Sequence, residues 1–390
     1  MKPSSEKRTR LHYLDWLRVL ALFGVFIFHS MHPFDFIDWH IKNAALSLSI
    51  SYLVVFLYPW GMPLFFMISG AGTFFALQRR GNREYTIERV QRLLIPYIVG
   101  SIILTPIQAY YEMIHKGLFS ESFQSFLIDG TLFNFYLNRI LTVNLSPMIF
   151  GALGYHLWFL GFLFMFSLLA LPIFRWLNEE TGSRFTETLV GLVSKRAGII
   201  LWVVPLALTQ IVLRPSFPNE HDWAGFVYEF IFFVYGFLLF SDHRFLKAIK
   251  KDWWIILGLS LVSTVLILSR VSISMMDTPS APPSLVELLI TWGVFSINSW
   301  SWTLLLLIFG MKYLDFDNTW LKYGKQAILP FFLIHQPVII VTAFYVVQWD
   351  TGMLIKLLSI LGGSFLVILG IYELLIKRLR VLRNLFGINN

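Results

Sequence analysis

Cysteine is absent from all 390 residues. That absence excludes disulfides, a thiolate nucleophile and any Cys-ligated metal, and it leaves the redox compartment unread. Charge is also scarce, with Asp, Glu, Lys and Arg at 14% against about 25% in soluble domains. No P-loop, GxSxG, HExxH or dinucleotide fingerprint stands in a supporting context. What the chain has instead is apolar: 56% hydrophobic and 17% aromatic residues, with a mean hydropathy of +0.67. Its apolar runs repeat at about 20 residues, the length that crosses a bilayer as a helix. The expected fold is all-α, a polytopic integral membrane protein in the lipid bilayer. A net charge of +8 would suit nucleic acid, but the cations sit in short loops between spans, so no nucleic-acid partner is expected.

Ten spans are predicted, at about 13–33, 46–77, 93–114, 154–176, 198–213, 223–240, 253–270, 287–311, 326–347 and 354–376. The second is read as one kinked span. Splitting it at Pro59, Gly61 and Pro63 would leave two pieces too short to cross and move Arg79, Arg80 and Arg83 to the wrong side. The domains expected are a basic N-terminus (1–12), a membrane domain (13–376) and a basic tail (377–390). The run after MKPSSEKRTR is too long and too polar for a cleaved signal peptide, so it is read as the first permanent span. Orientation follows from the cations. Of the 31 Lys and Arg, only Lys42, Lys116, Arg139, Arg214, Arg270 and Lys356 fall in outer segments, and Arg18 lies within the first span. All others fall in inner segments, which predicts that both termini are cytoplasmic. The long outer connection, 115–153, holds the amphipathic stretch SFQSFLIDGTLFNFYLNRIL, expected at the interface, and the inner loop 177–197 holds a shorter one. The loop 272–285, with Pro279, Pro282 and Pro283, reads as an extended connection.

A charged side chain inside a membrane helix costs on the order of 3 kcal/mol unless it faces a cavity or a partner. The first span, DWLRVLALFGVFIFH, carries Asp15, Arg18 and His29. Arg18 and His29 are eleven residues apart, three turns plus roughly 20°, so both leave one helix face about 16 Å apart along the axis. Asp15 falls on the same side. With orientation set, Asp15, Arg18, Arg89 and Arg92 belong near the cytoplasmic ends, and His29, His156 and Glu229 in the outer halves. Asn298 and His335 lie near mid-membrane. A cationic mouth suits an anionic ligand, and deeper imidazoles suit proton transfer.

Each residue has a plainer reading beside this one. Arg18 can snorkel to the interface. His29 can bond a backbone carbonyl between helices, and His156 beside Trp158 can anchor at the interface. Glu229 can pair with a buried cation. At His335, Pro337 frees a backbone carbonyl that a polar neighbour would satisfy. Arg89 and Arg92, three apart at the start of span three, form a fork for phosphates or a positive-inside loop. Ser69, Gly70, Ala71 and Gly72 in PLFFMISGAG allow close helix packing, or passage of a flat thioester arm. Glu373 and Lys377 fit an i,i+4 ion pair.

At these residues the chain resembles the integral-membrane acyltransferase-3 family. The resemblance rests on Arg18, ten residues, then His29; on FFMISG in span two; on an arginine pair running into LLIPY; on HLWFL at His156–Leu160; and on LPFFLIHQPV. It covers essentially the whole chain in order, and within the family it is similar to the glucan biosynthesis protein C branch, including YELLIKRLRVLRNLFG. The resemblance implies transfer of an acyl group from cytoplasmic acyl-CoA to an acceptor, usually an O-linked position on an extracytoplasmic glycan, with succinylation associated with the glucan branch. It maps the family's essential pair onto Arg18 and His29, and its second arginine motif onto Arg89 and Arg92. Some relatives carry a fused extracytoplasmic hydrolase-like domain, which is not expected here.

The mechanism that follows puts the phosphates of CoA on Arg18, Arg89 and Arg92, with Ser69 in the donor-binding set. The pantetheine arm then reaches toward His29. His29, neutral near pH 7 from a reference pKa of about 6.5, is expected as general base on the acceptor hydroxyl, returning the proton to the CoA thiolate. His335 is expected as a second base or oxyanion donor, Glu229 as a catalytic partner, and Asp15, His156 and Asn298 as orienting groups. A covalent acyl-histidine stays open, and no metal is expected. The expected location is a bacterial or archaeal plasma membrane. The alternative is a transporter or flippase of an anionic solute with the same cationic mouth and no chemistry, which would need paired broken helices; a scaffold with internally paired charges is a third reading.

Overall fold

In a bilayer the hydrophobic effect does not hold helices together, so close packing and polar contacts must do so. The computed structural model describes residues 11–143, 145–177, 179–276 and 284–388. The basic N-terminus 1–10 and the loop prolines Pro279, Pro282 and Pro283 lie outside the described residues. Among the described residues the regular structure is all helical, and nine helices are long and apolar enough to cross a membrane: His12–Phe34, Leu48–Leu77, Asn82–His115, Ile149–Leu169, Trp223–Ser241, Trp253–Arg270, Leu285–Tyr313, Thr319–Val346 and Met353–Ile376. They fall on nine of the ten expected spans. The expected span five is a shorter apolar helix, Gly198–Leu213, that opens with a 3-10 turn at Gly198–Trp202. With a rise of about 2.0 Å per residue in that turn and about 1.5 Å beyond it, the helix extends about 26 Å.

Span two is one helix of 30 residues through Pro59 and Pro63. Pro63 has no N–H to offer the carbonyl of Pro59. Ser299 of span eight supplies the missing donor, its hydroxyl bonding that carbonyl at 2.5 Å. Span three starts earlier than expected, at Asn82, because the arginine-rich approach is itself helical; a π turn at Val90–Leu94 leads into Pro96. Span four ends at Leu169, and Leu171–Leu177 forms a separate short helix with Pro172 in its first turn.

The small residues of span two are a contact between backbones. A Cβ on Gly70 would lie 1.9 Å from the Phe233 carbonyl oxygen of span six, and a Cβ on Gly236 1.9 Å from that of Met67. Spans two and six therefore cross where neither can carry a side chain. Phe174 and Phe237 stack beside this crossing with centroids 3.7 Å apart.

The long connection expected on the outer side carries the helices Phe123–Ile128 and Thr131–Thr142, joined through Gly130, whose φ of +81° suits glycine. The second buries none of its residues and exposes Phe133, Leu137, Ile140 and Leu141, as an interfacial helix does. The connection after span four, expected on the inner side, holds the amphipathic helix Glu180–Val193. Lys377 bonds Glu373 at 2.9 Å, the expected i,i+4 pair.

Candidate active site

The first span presents Leu17, Leu20, Ala21, Gly24, Val25, Phe28 and His29 to a cavity of about 700 Å³. Those positions follow the i, i+3, i+4, i+7, i+8 pattern of one helix face. Twelve residues separate its ends, a run of about 18 Å at 1.5 Å per residue. An apolar stripe thus lines the cavity, with His29 at one end and Arg18 beside the other.

At the Arg18 end the guanidinium rests on span two. Its Nη2 donates to the carbonyl of Ile68 at 3.0 Å, and Nη1 lies 3.6 Å from Asp15, whose other oxygen is 3.9 Å from Lys325. A Cβ on Gly72 would stand 2.6 Å from Nη2. So the small-residue motif divides: Gly70 admits span six, and Gly72 admits Arg18. On the adjoining face of the same turn, Thr73 bonds the Tyr85 hydroxyl at 3.0 Å and its own Oγ1 donates to the carbonyl of Ser69. Arg89 lies over the Tyr85 ring, 4.6 Å from its centroid. Glu88 draws Arg80, Arg89 and Arg92 around it. Arg18 meets span two at Ile68 and Gly72, and Arg89 reaches the adjacent Thr73 through Tyr85. None of Arg18, Arg89 and Arg92 lines the cavity itself.

At the other end imidazoles gather. The His29 ring centroid lies 5.3 Å from that of His335 and 6.0 Å from that of His32, and His335 is 5.0 Å from His156. The Nδ1 of His29 is buried with no hydrogen-bond partner among the described residues. The strongest electrostatic neighbours of His29 are the imidazoles of His335, His32, His156 and His40. Asp15, expected to orient it, is fourteen residues away on the same helix, about 21 Å along the axis. Glu229 lines the same cavity but has Glu220 and Arg214 as its charged neighbours. The arrangement therefore gives His29 neither of the carboxylates expected to tune it.

The carbonyl that Pro337 frees is that of Leu333, and its partner is His156, whose Nε2 donates to it at 3.1 Å. His335 instead donates Nδ1–H to the carbonyl of Phe332 at 2.6 Å. That tautomer leaves Nε2 of His335 as an acceptor, so the ring has no N–H for an oxyanion. Asn298 is away from the cavity: its amide bonds Ser263 and Thr264 of span seven, each at 3.0 Å. A depth for Asn298 is expected from the sequence, which could not give the direction of its side chain. Among the described residues, no group of three or more His, Asp or Glu side chains is arranged to hold a metal ion.

Several lining residues were not singled out in the sequence. His40, Glu112, Arg139 and Tyr155 stand near the imidazoles, and Arg214, Glu220 and His221 stand near Glu229. Burial lowers the His221 imidazole below its ordinary range, opposed by Glu220 and assisted by Arg214. One signal was legible: three of the nine histidines fall between residues 29 and 40. The rest come from loops and span ends, where polar residues are ordinary.

A sequence model described as an acyltransferase domain matches residues 11–373. The chain is similar to the glucans biosynthesis protein C of Escherichia coli O139:H28, at 23% identity over 97% of this chain and 94% of that protein. It is similar to the protein of the same name from Salmonella schwarzengrund at 24% identity, over 98% and 96%. No solved structure matches it.

Proposed function

The chain belongs to the integral-membrane acyltransferase-3 family, and from that premise we propose that it moves an acyl group from acyl-CoA to a hydroxyl of an extracytoplasmic glycan. It is a membrane acyltransferase of groups other than amino-acyl groups. The donor, the acyl class and the acceptor are the parts proposed. One observation carries the reading: a single face of the first span lines a 700 Å³ cavity from Leu17, next to Arg18, to His29. A long donor with an anionic head and a reactive end needs such a spacing.

In this reading the positive-inside distribution of Lys and Arg makes the Arg18 end cytoplasmic and puts both termini there. The phosphates of CoA engage Arg18, Arg89 and Arg92 beside Ser69, where arginine geometry favours phosphate. The pantetheine arm follows the apolar stripe, and the thioester meets His29. The acceptor hydroxyl enters from the opposite end and displaces the thiolate. The glycan class is supported by the name of the relatives, which speaks of glucans. Their bacterial sources support a plasma-membrane location. Acetyl and succinyl are the acyl groups proposed.

Purified protein in lipid nanodiscs, given acetyl-CoA or succinyl-CoA and a gluco-oligosaccharide, should release free thiol and yield an acylated sugar. Flux of an unmodified anion without thiol release would instead indicate transport.

A further inference from the structure

A second imidazole in the cavity has what His29 lacks. His40, on the connection after span one, donates Nδ1–H to Glu112 Oε2 of span three at 2.7 Å. The Tyr155 hydroxyl donates to the same carboxylate oxygen at 2.7 Å, and Lys116 to the other at 2.9 Å. With its proton on Nδ1, His40 presents Nε2 as a lone pair, which the amide of Gln336 meets at 3.1 Å. His40, Glu112, Tyr155 and Gln336 all line the main cavity. This is a base held in one tautomer by a carboxylate, the arrangement by which a neutral imidazole accepts a proton from a hydroxyl.

Two further observations point to the same place. The backbone of Tyr155 is at φ +49° and ψ −122°, a conformation a tyrosine adopts only when its surroundings impose it. Strain of this kind concentrates at active sites, and here it delivers the hydroxyl that braces Glu112. In addition, Glu112, Arg139 and Tyr155 line a second pocket of about 480 Å³ beneath the outer helices as well as the main cavity. Glu112, which holds His40, and Tyr155 therefore stand between the main cavity and the segment 115–153.

We propose that His40, held by Glu112 and braced by Tyr155, is the general base for the acceptor hydroxyl, which leaves His29 to act on the thioester carbonyl. The inference rests on the acyl-transfer reading above. The acceptor hydroxyl takes the place of the Gln336 amide at Nε2. Its oxygen attacks the thioester carbonyl carbon while its proton moves to His40, and Glu112 stabilises the imidazolium. The C–O bond forms, the C–S bond breaks, and the electron pair leaves on sulfur. The thiolate then takes the proton from His40, giving ester and free thiol with no external reactant. A neutral His29 polarises the carbonyl by a hydrogen bond, as a neutral imidazole can.

The test uses the full chain in nanodiscs with acetyl-CoA and succinyl-CoA, a five-unit gluco-oligosaccharide as acceptor probe, and thiol release as readout, which counts transfer to sugar and to water alike. His40→Asn and Glu112→Gln should each lower kcat at least 100-fold while melting temperature and CoA binding stay at wild-type values. The double variant should lose no more than His40→Asn alone, because the two residues act as one unit. The rising limb of the wild-type pH–rate profile should be absent in His40→Asn. The groups around His40 that bear on that limb are Glu112, Lys116, Tyr155, Arg139, His29 and His156. The proposal is overturned if His40→Asn keeps more than a third of wild-type kcat, or if the two losses multiply and the melting temperature falls, which marks a structural pair. If the wild-type protein releases no thiol from either donor, the acyl-transfer reading itself fails, and this inference goes with it.

Discussion

The Nε2 of His156 donates to the carbonyl of Leu333 at 3.1 Å, and Pro337, four residues further along the helix, is the reason that carbonyl is free. In span two, Ser299 meets the Pro59 carbonyl freed by Pro63 in the same way. Two helices that line the cavity thus each lose a backbone bond to proline and are pinned there by a polar side chain from a neighbouring helix. The proline loses one bond, and the neighbour both restores it and fixes the packing.

Ser299→Ala should destabilise the protein measurably in detergent unfolding. Interhelical hydrogen bonds in membranes average about 0.6 kcal/mol and reach about 1.7. The Pro59 carbonyl has no helical donor to fall back on, so a cost near the upper value is expected. In a Pro63→Ala background an N–H returns, and the same substitution should then cost less than half as much. Equal costs in both backgrounds would show that Ser299 does not answer Pro63.

Gly70→Ala should lower the melting temperature and the membrane abundance. Its Cβ would meet the Phe233 carbonyl at 1.9 Å, a backbone contact that cannot rotate away, and overpacking costs about 1–3 kcal/mol. Gly258→Ala, where a Cβ meets no described atom within 4 Å, is the matched control and should leave both unchanged.

Gly72→Ala should spare stability and impair donor use. The atom in its way is Arg18 Nη2, the end of a flexible side chain, so the guanidinium shifts while the helices stay. A fall of about tenfold in kcat/KM for acyl-CoA, equivalent to about 1.4 kcal/mol, is expected with an unchanged melting temperature. Arg18→Lys should show a similar loss, since a lysine cannot reproduce the fork.

Acid should weaken the protein partly through His221. Burial lowers its pKa in the folded state, so between that value and the unfolded value of about 6.5 the unfolded chain binds more protons. Its stability contribution is complete above pH 6.5 and is lost as pH falls through the unfolded pKa toward the folded one. Melting temperatures measured from pH 7.5 down to 5 should fall less steeply for His221→Phe than for the wild type. Identical slopes would contradict this.

The spans were legible because each is an apolar run with cations at one end. The cation distribution gave an expected depth for each polar residue, and the helix places Asp15 and Arg18 at one end of the first span and His29 at the other. Direction around each helix was not legible without knowing its neighbours. Asn298, expected at the depth of the site, turns to span seven, and Glu229 shares the cavity without meeting His29. The freed carbonyl at Pro337 could be foreseen, but its partner, His156, lies 177 residues earlier, and no local pattern links them. His40 and Glu112 were passed over because polar residues near span ends are ordinary until a fold brings two of them together.

The central claim is that the Arg18–His29 face of the first span serves acyl transfer. The most direct measurement is thiol release from acetyl-CoA or succinyl-CoA by wild-type and His29→Ala proteins, reconstituted at equal abundance and melting alike. The account predicts release by the wild type and none above background by His29→Ala. Near-normal turnover by the variant would contradict it.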